Sequence, residues 1–163
     1  MRESGREFKG IIFFGLMLTK DGPKVLEYNA RFGDPETQVV LPRLRSDLVD
    51  IVEACIDGKL ENVDIEFEDN AAVCVVLASK GYPKAYEKGF VIEGLDAIDK
   101  EEDVYCFHAG TKFKDGKIVT NGGRVLGISA KAKSIKEARE KAYKSTELIG
   151  FENKYMRTDI ADI

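Results

Sequence analysis

The chain has 163 residues, of which 44% are hydrophobic, so it can bury a core and we expect one domain with a smaller subdomain. Its formal net charge of −4 comes from interspersed acidic and basic residues, which argues against a non-specific nucleic-acid surface. No apolar run approaches a membrane span and the N-terminus has no signal-peptide core, so we expect a cytosolic protein without membrane or nucleic-acid partners.

Two apolar runs close to the N-terminus predict an antiparallel β-hairpin. Residues 10–19 and 25–29 flank a turn sequence that contains Asp-Gly-Pro. Because side chains alternate between the two faces of a strand, we expect Glu27 and Asn29 to point to the same side. A carboxylate and an amide oxygen suit magnesium, whereas a closed zinc site needs nitrogen or sulfur ligands. On spacing alone, a solvated strand face is the commoner interpretation of such a pair.

The residues that follow combine a guanidinium, a glycine and a helix-start pattern. Arg31 can hold a phosphate through two parallel hydrogen bonds, although a surface ion pair is the commoner role of an exposed arginine. Gly33 permits a tight turn or a close backbone approach. Asp34 is a good N-cap, Pro35 fits the first helical position and an acidic residue, Glu36, suits the first turn. We therefore predict a helix that begins at Asp34.

The middle of the chain predicts a second helix and a domain boundary. Apolar residues at helical spacing indicate a helix at residues 47–56, which Gly58 closes. An acidic stretch then predicts a linker or an edge strand, and it divides the chain into domains at 1–62 and 63–163. The three cysteines are widely spaced without a C-x-x-C pair, so we expect reduced thiols rather than disulfides or zinc ligands.

The C-terminal domain is predicted to be α+β. An apolar, β-branched run at residues 71–79 indicates a buried strand, and the capping box from Ser134 to Glu137 opens a helix. Further short apolar runs separated by turns predict a β-meander and one more strand, at residues 104–107, 111–113, 117–119 and 125–130.

Polar motifs in this domain are weaker candidates for substrate contact. Gly123 and Arg124 stand at a strand entrance, where a phosphate or ribose contact competes with the simpler interpretation of a hairpin corner and a surface arginine. The only histidine, His108, has no partner recognisable in the sequence, so we expect a structural hydrogen bond rather than acid–base catalysis. Residues 81–83, Gly-Tyr-Pro, form either a loop of the active site or an ordinary turn.

The run from Arg31 to Gln38, Arg-Phe-Gly-Asp-Pro-Glu-Thr-Gln, resembles the motif of the phosphoribosylamine–glycine ligase family of ATP-grasp enzymes. The resemblance implies the C-terminal part of an ATP-grasp domain, with antiparallel strands and helices, followed by a small domain of mixed sheet and helix. Further stretches that resemble the same family lie at residues 15–19, 39–44, 78–83, 108–111 and 121–127. The resemblance thus spans nearly the whole chain.

The family uses ATP to join glycine to 5-phosphoribosylamine in purine biosynthesis, through a glycyl phosphate intermediate. By resemblance, Glu27 and Asn29 are the ligands of Mg²⁺, for which Mn²⁺ could substitute, and ATP is the cosubstrate. Arg31 is implied to bind the nucleotide phosphates and to stabilise the transferring phosphoryl group.

The same resemblance suggests further site residues. Asp34 is implied to act in catalysis or to contact glycine, with capping as an equal alternative, and Glu36 is a second candidate for the glycine contact. Gly123 and Arg124 stand in a stretch that resembles the family and are candidate substrate contacts, without assignment to one substrate.

Complete members of the family carry more protein upstream, including a phosphoribosylamine-binding domain and the rest of the ATP-grasp fold. We therefore expect this chain to be a fragment whose partner is the missing N-terminal part, and to be inactive by itself because it holds only part of the nucleotide site. Two alternatives stay open. One is another ATP-grasp ligase or carboxylase, such as a biotin-carboxylase-like enzyme, which the motif from Arg31 disfavours. The other is a non-catalytic association module.

Overall fold

A computed structural model of the protein describes residues 2–162 and divides the chain into two units. Unit 1 comprises Met1–Thr37 and Leu44–Glu68, and unit 2 comprises Gln38–Arg43 and Asp69–Ile163. Helices and antiparallel strands occur together, so the predicted α+β class is confirmed. The division of the chain at residue 62 stays a prediction. Within the described residues, no helix combines the length and the apolar character needed to cross a bilayer.

The predicted N-terminal hairpin is confirmed. Strands β1 (Phe13–Thr19) and β2 (Gly22–Asn29) pair antiparallel, and the register runs from Phe13 opposite Asn29 to Thr19 opposite Gly22. Gly22 has a φ of 92°, a backbone conformation that glycine adopts without a steric penalty, so the tight connection between the strands falls at a residue that permits it.

The helices of the first part of the chain are short. Helix α1 (Thr37–Val40) runs into a 3₁₀ turn (Leu41–Arg43), and helix α2 (Leu48–Asp57) follows close to its predicted bounds. An Asp47 side-chain oxygen accepts a hydrogen bond from the Val49 N–H at 2.7 Å and so caps α2. Gly58 ends the helix with a φ of 70°, as predicted from the sequence.

Unit 1 has no hydrophobic core among its described residues. Gly33 is the only one of them that is buried, and it has no side chain. Large apolar side chains of the hairpin are instead open to solvent, with exposed fractions of 83% for Leu18, 63% for Leu26 and 64% for Tyr28. An isolated two-stranded hairpin is at best marginally stable in water, so unit 1 draws little stability from its own packing.

Unit 2 is built around a four-stranded antiparallel sheet with the strand order β4–β7–β3–β8. Its strands are β3 (Ala71–Ser79), β4 (Val104–His108), β7 (Arg124–Ala132) and β8 (Lys154–Tyr155). A short helix α3 (Leu95–Ile98) precedes β4, and the strands β5 (Thr111–Lys114) and β6 (Lys117–Thr120) form a separate hairpin.

Helix α4 (Ile135–Thr146) packs against β3 and β7. The Ser134 hydroxyl accepts a hydrogen bond from the Glu137 N–H at 3.2 Å, which confirms the predicted helix start. The small residues Ala138 and Ala142 are fully buried on this helix, so it can approach the sheet closely. The fully buried side chains of the sheet include Val75, Leu77, Val125, Leu126 and Ile128.

The predicted β-meander is wrong, although each of its strands exists. Strand β4 pairs with β7 rather than with β5, and its ladder continues where Ala109 and Gly110 donate to the carbonyl oxygens of Val125 and Arg124. Val104 and Cys106 of β4 thereby join the core. The exposed strand β5 has no comparable apolar face, so it pairs locally with β6 through the predicted turn at Asp115 and Gly116.

Leu126→Ala should lower the free energy of unfolding by about 3 kcal/mol, because it opens a cavity in the core of unit 2. Leu18→Ala removes the same atoms from a side chain that is 83% exposed and should change this free energy by less than about 0.5 kcal/mol. Urea denaturation of both variants measures the two values. Equal effects would contradict the described division between a packed sheet and an open hairpin.

Within residues 2–162 no disulfide joins Cys55, Cys74 and Cys106. Burial raises the pKa of the Cys106 thiol from 9.0 to about 11, and the negative charge of Asp99 acts in the same direction. Between these two values the folded protein keeps the thiol proton while the unfolded chain loses it. Stability must therefore fall as the pH rises through this window.

Cys106→Ala should make the loss of stability between pH 9 and pH 11 less steep, because the unfolded chain then has no thiol proton to release at this position. Urea unfolding at a series of pH values measures the slope for the variant and for the unmodified chain. Parallel slopes would show that the thiol of Cys106 titrates alike in the folded and unfolded states.

Candidate functional site

One face of the β1–β2 hairpin carries the two candidate metal ligands. Glu27 lies opposite Gly15 and Asn29 lies opposite Phe13, so the two residues are neighbours on one side of the strand. The aromatic rings of Phe14 and Tyr28, which alternate with these residues, meet edge to face with their centroids 5.1 Å apart. The predicted placement of Glu27 and Asn29 on the same side of the strand is thus present in the structure.

Asn29 and Arg31 are joined by a hydrogen bond. The Nη2 group of Arg31 donates to Oδ1 of Asn29 at 3.2 Å, and Nη1 donates to the carbonyl oxygen of Phe32 at 2.7 Å. This pair of bonds fixes the Asn29 amide with its oxygen toward the guanidinium. A guanidinium has five N–H groups, so the exposed Arg31 retains donors for a ligand while it holds Asn29.

The Glu27 carboxylate has no comparable hydrogen bond among the described residues. It is exposed and makes no hydrogen bond or ion pair with any other residue in the described part of the chain. Its aliphatic stem crosses Gly15, where an added Cβ atom would lie 2.9 Å from Cγ of Glu27. An exposed carboxylate beside an amide oxygen offers hard oxygen donors of the kind that Mg²⁺ takes together with phosphate oxygens and water.

These residues supply two protein ligands, one carboxylate and one amide. The described residues contain no group of three or more His, Cys, Asp or Glu side chains that could hold a metal ion. Such a set fits a cation that is shared with a phosphate ligand and does not fit a closed protein cage.

The helix predicted to begin at Asp34 begins at Thr37 instead. The N–H group of Thr37 donates to the carbonyl oxygen of Gly33 at 3.1 Å, and its hydroxyl donates to the same oxygen. These bonds close a turn over residues 34–36, and the Asp34–Pro35 peptide is cis. Pro35 is therefore not the first residue of a helix, and the prediction of a helix N-terminus at Asp34 is wrong.

Gly33 and Glu36 are packed together in this turn. A side chain at Gly33 would collide with the Glu36 carboxylate, and its Cβ atom would also lie only 3.0 Å from Cβ of Glu36. The missing side chain at Gly33 thus leaves the space in which the half-buried Glu36 lies. Asp34 is exposed in the same turn.

An apolar concavity of about 350 Å³ lies beside Asn29 within unit 1. The alternation of the apolar run 10–19 already indicates that Ile12 and Phe14 share a face, but another lining residue, Phe8, precedes that run and carries no sequence signal for this role. Tyr28 of β2 also lines the concavity. The remaining lining residue is Ala30.

The weaker candidates, Gly123 and Arg124, belong to unit 2. The ring of Tyr82 covers the Cα atom of Gly123, because a Cβ atom there would lie within 2.0 Å of the ring. The N–H of Ser79 donates to the Gly123 carbonyl oxygen at 2.8 Å, and the Ser79 hydroxyl donates to the Gly122 carbonyl oxygen at 2.9 Å. The turn that contains Tyr82 and the entrance to β7 therefore meet at one end of the sheet.

His108 forms the structural hydrogen bond expected from the sequence. Its Nδ1 atom lies 2.9 Å from the hydroxyl oxygen of Thr111, across the turn that links β4 to β5. The turn also packs Gly110 against Gly122, where either Cβ atom would collide with the opposite backbone. Close backbone contact at this corner is enough to explain why both positions are glycine, so their presence does not require a ligand.

Two family models match the chain. The model of the phosphoribosylglycinamide synthetase ATP-grasp (A) domain matches residues 1–37, and the model of the phosphoribosylglycinamide synthetase C domain matches residues 72–163. A solved structure is also similar: the crystal structure of phosphoribosylamine–glycine ligase from Thermotoga maritima aligns with a TM-score of 0.82 and 41% identity, over 98% of this chain and 39% of that one.

Curated relatives give the same result. The phosphoribosylamine–glycine ligase of Caldanaerobacter subterraneus is 57% identical over 161 residues, which cover 99% of this chain and 38% of the relative. The ligase of Rhodopirellula baltica is 52% identical over 99% of this chain and 37% of its own length. The trifunctional purine biosynthetic protein adenosine-3 of Gallus gallus is 52% identical over 98% of this chain and 16% of its own length. The chain therefore spans less than two fifths of the ligases it matches.

Proposed function

The chain belongs to the phosphoribosylglycinamide synthetase family, and from this membership we propose that it supplies part of an ATP-dependent phosphoribosylamine–glycine ligase of purine biosynthesis. The observation that carries the proposal is the 57% identity to such a ligase over 99% of the chain. The arrangement of Glu27, Asn29 and Arg31 on one hairpin supports it, because carboxylate, amide and guanidinium groups suit a phosphate-bound divalent cation.

The proposed reaction has two steps. A carboxylate oxygen of glycine attacks the γ-phosphorus of ATP, the bond to the ADP oxygen breaks, and glycyl phosphate forms. The amine of 5-phosphoribosylamine then attacks the glycyl carbonyl carbon, phosphate leaves, and the nitrogen loses a proton, which yields glycinamide ribonucleotide. Both steps gather anionic oxygens in one place, so the protein must position and neutralise them.

Glu27 and Asn29 are the residues that would hold Mg²⁺ or Mn²⁺, which when bound neutralises phosphate charge and orients the transferring group. The remaining N–H donors of Arg31 would bind a phosphate oxygen while the same guanidinium keeps the Asn29 amide in place. Asp34 and Glu36 follow within the next turn and could hold the ammonium group of glycine.

Gly123 and Arg124 would contact the phosphoribosyl substrate. A guanidinium at the entrance of β7 could pair with the 5′-phosphate. Gly123 lies beneath the Tyr82 ring, so its role would be to shape this corner rather than to bond the substrate.

The proposed partner is the remainder of the ligase. Unit 1 has one buried residue among those whose burial is described, and the apolar side chains of its hairpin are exposed, so it needs other protein surface to become stable. The C-terminal share of a ligase cannot enclose ATP by itself, and we propose that the chain alone has no ligase activity.

The 163-residue chain alone should form no glycinamide ribonucleotide, because it offers only one wall of the proposed site. Adding the part of the Caldanaerobacter ligase that this chain does not match should restore glycine-dependent ADP formation. A coupled ADP assay with and without each substrate measures this. Turnover by the chain alone would contradict the proposed incompleteness.

The same mixing experiment separates the two leading alternatives. Association with restored turnover supports a split enzyme, whereas association without turnover supports a non-catalytic module. A different ATP-grasp ligase or carboxylase would instead hydrolyse ATP with another carboxylate substrate and show no dependence on glycine.

Glu27→Ala should raise the Mg²⁺ concentration needed for half-maximal turnover of the active complex by at least about 100-fold, since groups that only support metal ligands already contribute about 10–100-fold. Glu61→Ala is the matched control, because Glu61 is also an exposed glutamate of unit 1. Turnover is measured against free Mg²⁺ at saturating ATP. An unchanged Mg²⁺ dependence in Glu27→Ala would rule out this metal assignment.

A further inference from the structure

We infer that Gly15 is a positioning residue for Glu27: the missing side chain on β1 provides the space that directs the Glu27 carboxylate. The inference rests on the proposed function, in which Glu27 is a metal ligand, and extends it to a residue that touches neither metal nor substrate. Three features of the hairpin support it.

The first feature is the absence of any other restraint on Glu27. Its carboxylate makes no hydrogen bond or ion pair with the residues described here, whereas the amide of Asn29 is tied to Arg31 at 3.2 Å. A free glutamate on an exposed strand face samples several staggered rotamers. The two candidate ligands are therefore positioned by different means, and packing against the strand is what remains for Glu27.

The second feature is the contact itself. Gly15 lies directly opposite Glu27 in the register, and a Cβ atom built on Gly15 would lie 2.9 Å from Cγ of Glu27. Cγ is in the middle of the side chain, so a methyl group at Gly15 could be accommodated only if the whole stem moved and the carboxylate moved with it. The backbone of Gly15 does not have a positive φ, so its conformation does not by itself require glycine.

The third feature is a bulge beside this pair. Gly15 is opposite Glu27, but the next residue, Leu16, is opposite Val25, so that Leu26 is an extra residue on β2. A bulge re-aims the side chains next to it and increases the local twist of the strand. Here it adjoins the position where the Glu27 stem crosses Gly15. The bulge and the glycine together define the direction of Glu27.

The test compares Gly15→Ala with Gly150→Ala in the full 163-residue chain. Gly150 is a matched control because a Cβ atom there meets nothing within 4 Å and its φ is not positive. The probe is Mn²⁺ alone, whose unpaired electrons broaden the NMR signals of nearby amides. In the unmodified chain, Mn²⁺ should broaden the amide signals of Glu27 and Asn29.

In Gly15→Ala the Mn²⁺ concentration for half-maximal broadening should rise about tenfold, the size expected for loss of a supporting group around a metal ligand. Cross-strand contacts of the hairpin should stay unchanged, because alanine is better suited than glycine to the interior of a strand. Gly150→Ala should behave like the unmodified chain. Equal Mn²⁺ affinity in all three proteins would overturn the inference.

A second measurement keeps the inference testable if Gly15→Ala fails to form the hairpin. Side-chain coupling constants in the unmodified chain should show one rotamer for Glu27 and rotamer averaging for the exposed Glu61. Averaging at Glu27 would overturn the inference. If Mn²⁺ broadens neither Glu27 nor Asn29 in the unmodified chain, the metal assignment under the proposed function fails. The Glu27 coupling constants of Gly15→Ala, compared with those of the unmodified chain, then decide whether Gly15 positions Glu27.

Discussion

The register between β1 and β2 is the constraint on which the candidate site depends. It places Glu27 opposite Gly15 and Asn29 opposite Phe13, and it sends Phe14 and Tyr28 to the other face. A shift by one residue would give Glu27 and Asn29 other cross-strand neighbours and bring Gly15 away from Glu27, because side chains on a strand repeat with a period of two. Arg31 follows the end of β2 after one residue, close enough for its guanidinium to bond the Asn29 amide at the edge of this face.

The two units make different contributions, stability in unit 2 and candidate ligand-binding groups in unit 1. Unit 2 has a sheet whose central strands β3 and β7 are largely buried and a helix that covers them with small residues, so it contains the packing that stabilises the chain. Unit 1 carries the residues best suited to phosphate and metal chemistry and has almost nothing buried. Functional groups need access to ligands, and the exposed apolar side chains of the hairpin support the proposal that more protein completes this surface.

Local sequence patterns predicted those features whose causes are local. The alternation around Glu27 predicted the hairpin faces, the capping box at Ser134 predicted the start of α4, and Gly58 predicted the end of α2. Local rules failed at Asp34, where a good N-cap followed by proline indicated a helix that in fact begins at Thr37. There residues 34–36 form a turn that is closed where both donors of Thr37 meet the carbonyl oxygen of Gly33, and propensity alone does not predict that turn.

The sequence by itself determined the family, the strand that carries Glu27 and Asn29, and most of the secondary structure, because each depends on residue types at short spacing. Only the tertiary structure decided that β4 pairs with β7 and that the Glu27 stem crosses Gly15. The physical reason is that strand partners and side-chain directions depend on atoms distant along the chain. Periodicity records which face a residue occupies but not what lies opposite it.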